Sequence, residues 1–350
     1  MSAPGTPAAA GVPPEALAPA VGLDVGGTKV LGVVLSGGDA VLAELRVATP
    51  QPTTGPPVGG VAADQDRSAV VEALALLVRE LQREHGPGAV GMGIPGMLDR
   101  TGMLRFSPNL PAAAGGDVAT ALSERLGGVP VHVDNDANCA ALAELTLGAA
   151  RGARTALVVT LGTGIGGAVI VDGAVQRGAH GLAGEVGHMV VDPSGPACPC
   201  GGRGCWERCA SGAGLARLAR EAALAGTLFG AVALAGGDPE LVRGEHVARA
   251  AADGDVGSLA VMESLGWWVA LGLANLVAVL DPERIVVGGG LAVVGEMLFA
   301  PVRRFFAELV EGGAHRPEVP IVPAELGEQA GAVGAALGAR AAVPPARTAG

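Results

Sequence analysis

The sequence predicts an α/β protein built from two similar halves that face each other across a cleft. The chain has 350 residues, enough for about two domains and a sizeable core. A segment that runs strand, glycine-rich turn, strand occurs at 21–35 and again at 156–173, about 137 residues further on. Such a repeat is typical of an internal duplication, so we place the division near residue 134.

The first half reads as strands joined by one long crossover helix. It begins with VGLDV at Val21, turns at GGTK, and continues into VLGVVL and AVLAELRVAT. Residues 50–60 are a loop rich in proline, glycine and threonine. Apolar side chains at helical spacing over Asp66–Glu84 predict an amphipathic helix. AVGMGIPG and VPVHVDND are buried strands, and the predicted order is β-β-β-α-β-α-β.

The second half repeats the theme from Ala156 with ALVVT, LGTGIGG and AVIVDG. The pattern over Gly212–Leu280 is mostly helical, and a short strand, RIVVGGGLA, then runs into three glycines. A small-residue helix at about 328–341 is expected to pack back on the first half. We therefore assign 21–133 and this helix to a small N-terminal lobe, and 134–327 to a large lobe.

Composition excludes several classes of protein. The 23 basic and 34 acidic residues give a net charge of −11, which disfavours binding to nucleic acid and to anionic membranes. Apolar residues make up 49% and charged residues 16%, which favours a folded chain over a disordered one.

The ends and the cysteines indicate the compartment. Residues 1–20 lack the basic region and the unbroken apolar run of a signal peptide. We expect tails at 1–20, disordered, and at 342–350. The most apolar later segment, Trp267–Leu280, is too short to span a bilayer and is predicted to be a buried helix. Four of the five cysteines lie within 198–209, unlike a disulfide framework. A cytoplasmic location follows, with no membrane partner.

The first glycine turn, DVGGTK, is a candidate phosphate site. Gly26 and Gly27 permit a tight turn whose amides can approach an anion, and Thr28 and Lys29 add a hydroxyl and a cation. Asp24, at the end of a buried strand, is placed to hold Mg²⁺. An ordinary hairpin turn flanked by charged residues is the alternative.

The second turn, LGTGIGG, fits the pattern GxGxxG from Gly162. A strand rather than a helix follows, which argues against a Rossmann site. Thr163 supplies a hydroxyl, and the amide of Gly164 belongs to the same edge. A third close-approach loop consists of Gly288, Gly289 and Gly290. Together the three loops predict a clamp around a nucleoside triphosphate.

A cysteine-rich segment predicts a structural zinc site. The ligands are His188, Cys198, Cys200 and Cys205, spaced H-x9-C-x-C-x4-C. Three thiolates and an imidazole suit a closed tetrahedral Zn²⁺ site. Buried cysteines without a role are the alternative, which the glycine and proline setting disfavours. Cys139 and Cys209 lie outside the motif and are expected to pack in the core.

Carboxylates supply two further candidates. The segment Asp134–Asn138 ends a strand and precedes a helix, where Asp and Asn commonly act as helix caps. The functional alternative is a general base that orients a hydroxyl and accepts its proton. Glu185 and Glu207 flank the zinc segment. They are either solvated loop residues or, with the histidine, acceptors for the neutral hydroxyls of a sugar.

The motifs DVGGTK, GMGIPG, SPNL, NDAN, LGTGIGG, HGLAGEVGHMVV and CPCGGRGCWE occur in this order. Taken together, they resemble the ROK family (repressors, open reading frames, kinases), particularly its bacterial ATP-dependent glucokinases. The resemblance runs from about Val21 to Arg340. It implies an actin-like, ribonuclease H-like fold of two α/β lobes around a central cleft.

The resemblance also implies roles for individual residues. Asp136 would be the base for the 6-hydroxyl of a hexose. The hexose contacts would be Asn109, Asn135, Asp136, Glu185, His188 and Glu207. The two glycine turns would hold the phosphates of ATP, and the loop at 288–290 would lie near adenosine. The implied cofactors are ATP, Mg²⁺ and structural Zn²⁺, and the implied assembly is a homodimer or homotetramer.

The expected activity is ATP-dependent phosphorylation of glucose, and several alternatives remain. Fructose, mannose, N-acetylmannosamine or N-acetylglucosamine are other candidate substrates, because the chain has PAAAGG where family members often carry an aromatic residue after PNL. Polyphosphate is another donor, although relatives that use it typically lack the zinc motif. A sugar-sensing transcription regulator is the alternative from another class. Family repressors carry a winged-helix segment before the first turn, where this sequence has about 20 residues.

Overall fold

The computed structural model describes residues 18–51 and 61–342. Most of the predicted tails and of the loop at 50–60 therefore lies outside the described residues. Within them the strands are β1 (Ala20–Val25), β2 (Lys29–Leu35), β3 (Val41–Ala48), β4 (Ala89–Ile94), β5 (Met97–Leu98), β6 (Leu104–Phe106), β7 (Val131–Asn135), β8 (Ala156–Leu161), β9 (Ile165–Val171), β10 (Ala174–Gln176), β11 (Arg284–Gly288) and β12 (Ile321–Pro323). The helices are α1 (Val61–His85), α2 (Val118–Arg125), α3 (Asp136–Thr146), α4 (Trp206–Ala210), α5 (Gly212–Leu224), α6 (Phe229–Leu234), α7 (Gly244–Ala252), α8 (Val256–Leu280), α9 (Glu296–Leu309) and α10 (Ala330–Ala342).

Two five-stranded sheets share one plan. The first has the order β3-β2-β1-β4-β7 and the second has the order β10-β9-β8-β11-β12. In each sheet the glycine-turn hairpin is antiparallel, β1 with β2 and β8 with β9. In each, the first strand of that hairpin also pairs in parallel with a later strand, β4 or β11. The predicted duplication of an α/β half is confirmed.

The two sheets are joined through a pair of helices with small side chains. Helix α3 follows β7 directly, and α10 packs against α3, β1 and β4. A Cβ at Gly22 or Gly91 would overlap the backbone of α10 at Ala332 or Ala335. Glycine at both positions lets the helix lie directly on the sheet. Helix α3 also packs on β8, β9 and β10, which places the carboxyl end of β7 next to the second half.

Helix α8 is a core helix of the second half. It runs for 25 residues and is long and apolar enough, by length and composition, to cross a membrane, but half of its apolar window is buried within the protein. The buried helix predicted at Trp267–Leu280 therefore starts earlier, at Val256. The side chain of Asp255 accepts a hydrogen bond from the Ser258 amide and caps this start.

Candidate active site

Two carboxylates lie close together where the first sheet ends. Asp24 is in β1 and Asp136 is the first residue of α3, and both are partly buried. Burial and the negative charge of Asp136 together raise the pKa of Asp24 to about 7, against the opposing effect of Lys29. Helix α10 comes close at Gly331, where a Cβ would lie 2.7 Å from Cγ of Asp24. The pair is a concentration of negative charge at the cleft.

The sequence left two roles open for the segment Asp134–Asn138, a helix cap and a general base, and the structure places the cap at Asn135. The side chain of Asn135 caps α3, accepting hydrogen bonds from the amides of Ala137 at 2.9 Å and Asn138 at 3.2 Å. The carboxylate of Asp136 accepts a second bond from Ala137 at 2.9 Å. Burial nevertheless raises the pKa of Asp136 above its ordinary value. Capping therefore does not require Asp136, and its desolvated carboxylate has the character of a base.

Glu185 and Glu207 belong to the same site. Burial raises the pKa of Glu185, and the charges of Asp136 and Glu207 raise it further while His188 opposes the rise. Oε2 of Glu207 accepts a hydrogen bond from the Ile165 amide at 3.1 Å. Glu207 is therefore half-buried and tied to the second glycine turn, whereas Glu185 is an exposed residue whose side chain faces His188.

The second glycine turn touches Glu207. A Cβ at Gly164 would overlap Oε2 of this glutamate. The turn is closed by a bond from the Gly162 amide to the Gly164 carbonyl at 3.0 Å, and the Gly162 carbonyl accepts from Gly212 at the start of α5 at 2.8 Å. Thr163 is exposed at its tip. The candidate phosphate turn and a candidate sugar ligand thus form one packed unit.

Each of the other two glycine loops directly follows the end of a strand, β11 or β1. Gly289 has a φ of +86°, and a Cβ there would lie 2.5 Å from the Leu161 carbonyl oxygen. The loop that follows Gly288 is therefore seated against the end of β8. In the first turn, the Gly26 amide donates to the Lys29 carbonyl at 2.9 Å.

Around the first turn, Thr28 is exposed, and Nζ of Lys29 lies 3.3 Å from Glu328, at the approach to α10. Asn109 is exposed. Its backbone lies against the turn, since a Cβ at Gly27 would overlap the Asn109 carbonyl oxygen. Ser107 fixes the Asn109 loop by donating to the Pro95 carbonyl at 2.7 Å.

The four predicted zinc ligands converge. The ligand atoms of His188, Cys198, Cys200 and Cys205 lie within 4.8 Å of one another. The sulfurs of Cys200 and Cys205 are 3.6 Å apart, close to the roughly 3.8 Å edge of a tetrahedron with Zn–S bonds of about 2.3 Å. The cluster fits a structural zinc site with four protein ligands.

His188 links the metal cluster to the cleft. Its Nδ1 lies 3.8 Å from the Cys198 sulfur, whereas its Nε2 lies 3.8 Å from Oε2 of Glu185. One ring nitrogen therefore faces the thiols and the other faces a cleft carboxylate. A metal bound by the first would fix the ring and hence the second.

Sequence reasoning missed the residues that hold these groups in place. Trp206, beside Glu207, is fully buried and donates from Nε1 to the Trp268 carbonyl in α8 at 2.7 Å. A Cβ at Gly272 would overlap its ring, so this glycine makes room for it. Arg177 was missed as well, although it binds Asp134 with two hydrogen bonds. No local motif marks such pairs, because the partners are far apart in the sequence.

Comparison with known proteins gives a consistent result. The sequence profile of the ROK family matches residues 20–342. A glucokinase from Streptomyces coelicolor is 36% identical over 90% of this chain and 96% of its own length. A glucokinase from Thermotoga maritima is 32% identical over 90% of this chain and 95% of its own length.

A solved structure has the same fold. The ROK family glucokinase from Streptomyces griseus, in complex with glucose and AMPPNP, is 35% identical, covers 91% of this chain and 98% of its own, and superposes with a TM-score of 0.79. The two-lobed, actin-like ATPase fold implied by the resemblance is confirmed. The chain belongs to the ROK family.

Proposed function

We propose that this protein is an ATP- and Mg²⁺-dependent hexose kinase that phosphorylates the 6-hydroxyl of glucose. The observation that carries the proposal is the convergence of Asp136 with Glu185 and Glu207 beside a glycine turn of the second sheet. The site combines a desolvated base, hydrogen-bond acceptors for neutral hydroxyls, and backbone amides for phosphate. The names of the similar glucokinases support the same substrate pair.

The proposed reaction is an in-line transfer of the γ-phosphoryl group. The 6-hydroxyl oxygen attacks phosphorus, the bond to the ADP oxygen breaks, and the hydroxyl proton passes to Asp136. Asn109, Asn135, Glu185, His188 and Glu207 hold the remaining hydroxyls, and the turns at 26–29 and 162–164 hold the phosphates. The loop at 288–290 lies on the adenosine side.

The acidic pair fits a divalent cation. Asp24 and Asp136 repel each other in a partly buried site, where an added positive charge would stabilise both ionised forms. Asp24 would hold Mg²⁺, directly or through water, and Mg²⁺ would supply neutralisation of the phosphate charge. Asp136 would remain available for the proton.

We also propose the cellular setting and the organisation of the chain. The family resemblance supports a cytoplasmic homodimer or homotetramer, and the division near residue 134 gives a boundary just before the proposed base. Sedimentation of the purified protein tests the assembly, for which a monomer at micromolar concentration would be the contrary result.

The proposal is tested by ADP release coupled to NADH oxidation, with ATP and Mg²⁺ and a panel of sugars. The panel holds glucose, fructose, mannose, N-acetylmannosamine and N-acetylglucosamine, and a reaction without sugar is the control. We expect glucose to give the highest kcat/KM and the sugar-free reaction to be slow, since closure excludes water. No sugar-dependent ADP release would refute the kinase assignment, and equal rates on all sugars would refute the specificity. Polyphosphate in place of ATP tests the alternative donor.

A further inference from the structure

Arg177 and Asp134 form an ion pair between the two halves, and Asp134 lies two residues before the proposed base. Arg177 follows β10, the edge strand of the second sheet, whereas Asp134 lies in β7, the edge strand of the first. Nε and Nη2 of Arg177 both donate to Oδ2 of Asp134, at 2.9 and 2.6 Å. Asp134 is buried, with 6% of its surface exposed.

The other oxygen of Asp134 organises the start of α3. Oδ1 accepts from the Asn135 amide at 2.8 Å and from Nδ2 of Asn138 at 3.0 Å. Asn135 in turn caps α3 and donates from Nδ2 to the Gly96 carbonyl at 3.2 Å. The carboxylate thus has four donors and holds Asn135 and Asn138, which lie one residue before and two residues after Asp136.

The backbone after Arg177 leads to the sugar side of the cleft. The carbonyl of Arg177 accepts a hydrogen bond from the amide of Ala183 at 3.2 Å, and Ala183 lies two residues before Glu185. The next carbonyl, of Gly178, accepts from Nε of Arg100 at 3.0 Å, and Arg100 lies in the β5–β6 hairpin of the first half. Arg177 therefore contacts Asp134 in β7, the strand that leads directly into Asp136, and belongs to the loop that carries Glu185.

The geometry of the Arg177–Asp134 pair is better suited to fixing an orientation than to adding stability. The side chain of Arg177 is 43% exposed, so the pair gains less from attraction than a fully buried pair would. A guanidinium nevertheless presents two parallel donors, which fix direction as well as distance. Two such donors on one carboxylate fix the position of the loop after β10 relative to the end of β7.

We propose that Arg177 is a positioning residue for phosphoryl transfer. Through Asp134 it sets the separation between Asp136 and Glu185, and so between the base and the sugar hydroxyls. Arg177 touches neither group itself. The inference rests on the proposed function, and it assigns the Arg177–Asp134 pair a role in turnover beyond stability.

The test compares four variants with the wild type: Arg177→Met, Arg177→Lys, Asp134→Asn and the double variant Asp134→Asn/Arg177→Met. Arg154→Met is the matched control, because Arg154 pairs with Asp172 at 2.6 Å across the same region of the second sheet, with both side chains about three-quarters exposed. The measurements are kcat, the KM values for glucose and for ATP, the glucose Kd by calorimetry, and thermal unfolding.

We expect Arg177→Met to lower kcat on the order of 10²-fold, since a misplacement of about 1 Å has that effect. The KM for ATP should stay within about threefold, because the glycine turns are not moved. Arg177→Lys should have a smaller fall in kcat than Arg177→Met, since lysine keeps the positive charge but lacks the two parallel donors of the guanidinium. The double variant should recover thermal stability, because no unpaired buried carboxylate remains, yet kcat should stay at least about tenfold low.

Two results would overturn the inference. One is Arg177→Met with kcat and glucose KM within about threefold of wild type. The other is a double variant in which stability and kcat return together, which would show a structural pair only. If Arg177→Met does not fold, Arg177→Lys and the double variant decide. A wild type without kinase activity would refute the proposed function instead. The glucose Kd would still test the pair, since an unchanged Kd in Arg177→Met would then count against it.

Discussion

Asp136 is a carboxylate whose burial opposes its charge, and this predicts a pH dependence. Burial raises the pKa of Asp136 above its ordinary value, and only the ionised form can accept the hydroxyl proton. We expect kcat for glucose to be lost as pH falls through this raised pKa and to reach a plateau above it. The kcat profile between about pH 4.5 and 9 measures it. A profile that stays flat down to the acid end of this range, as a carboxyl with the ordinary Asp pKa of about 3.9 would give, would contradict the assignment.

The effect of the same group on stability has the opposite sign. Because the pKa of Asp136 is raised in the folded protein, the folded state binds this proton more tightly than the unfolded chain. The free energy of unfolding should therefore fall as pH rises from the ordinary pKa through the raised one. Asp136→Asn should remove part of that slope, and Asp24, whose pKa is raised to about 7, should retain the rest. Urea unfolding at several pH values measures the slope, and an unchanged slope in the variant would be the contrary result.

Individual site residues differ in how far sequence could locate them. The four candidate zinc ligands lie in one short, unusual segment, so their types and spacing were sufficient to predict the cluster that the structure contains. Asn109 and Asp136 needed the family resemblance, because an isolated Asn or Asp has many uses. The pairing of Arg177 with Asp134 depends on two edge strands meeting, which no local pattern encodes.

At the level of elements, the second glycine turn predicts a sharp difference between two neighbouring glycines. A Cβ at Gly164 would overlap Oε2 of Glu207, whereas a Cβ at Gly162 has nothing within 4 Å. Gly164→Ala should displace Glu207 and raise the glucose KM on the order of tenfold or more. Gly162→Ala is the matched control in the same turn and should leave the glucose KM within about twofold. Equal effects of the two substitutions would show that Glu207 does not need this contact.

The zinc segment predicts a link between metal and sugar affinity. Metal analysis should find about one zinc per chain, and a chelator should lower the unfolding temperature because metal binding and folding are coupled. Cys200→Ser should weaken glucose binding more than ATP binding, since His188, Glu185 and Glu207 adjoin the cluster. Cys209→Ala is the control, as Cys209 is buried outside the cluster. A metal-free protein with full stability and activity would contradict this account.

Helices and strands could be predicted from the sequence where the periodic pattern of apolar residues was long. The hairpins at the glycine turns and the helices over 66–84 and 267–280 have strong periodic signals, and the structure contains them. Their ends differ, because caps such as Asp255 and not hydrophobic periodicity decide where a helix begins. Strands of two or three residues, such as β5, β10 and β12, are too short for an alternating pattern. They were missed, although β10 leads directly to Arg177.

At the scale of the whole molecule, the repeated pattern in the sequence predicted an architecture of two similar halves. Close packing of the helices between them explains how the halves meet. Helices α3 and α10 meet so closely that a Cβ at Gly334 would overlap the Cys139 carbonyl. Helix α3 also packs on β8, β9 and β10 of the second sheet, so Asp136 at its start lies near Glu185 of the second half. Sequence periodicity could indicate two halves, but their approach depends on small residues in α10 whose partners are distant in the chain.

The most direct test of the account compares Asp136→Asn with the wild type in steady-state turnover and in glucose binding. The substitution keeps the size of the side chain and removes its ability to accept a proton. We predict a fall in kcat of about 10²- to 10⁴-fold, with the glucose Kd by calorimetry within about tenfold of wild type. Turnover close to wild type in Asp136→Asn would contradict the assignment of this carboxylate as the base.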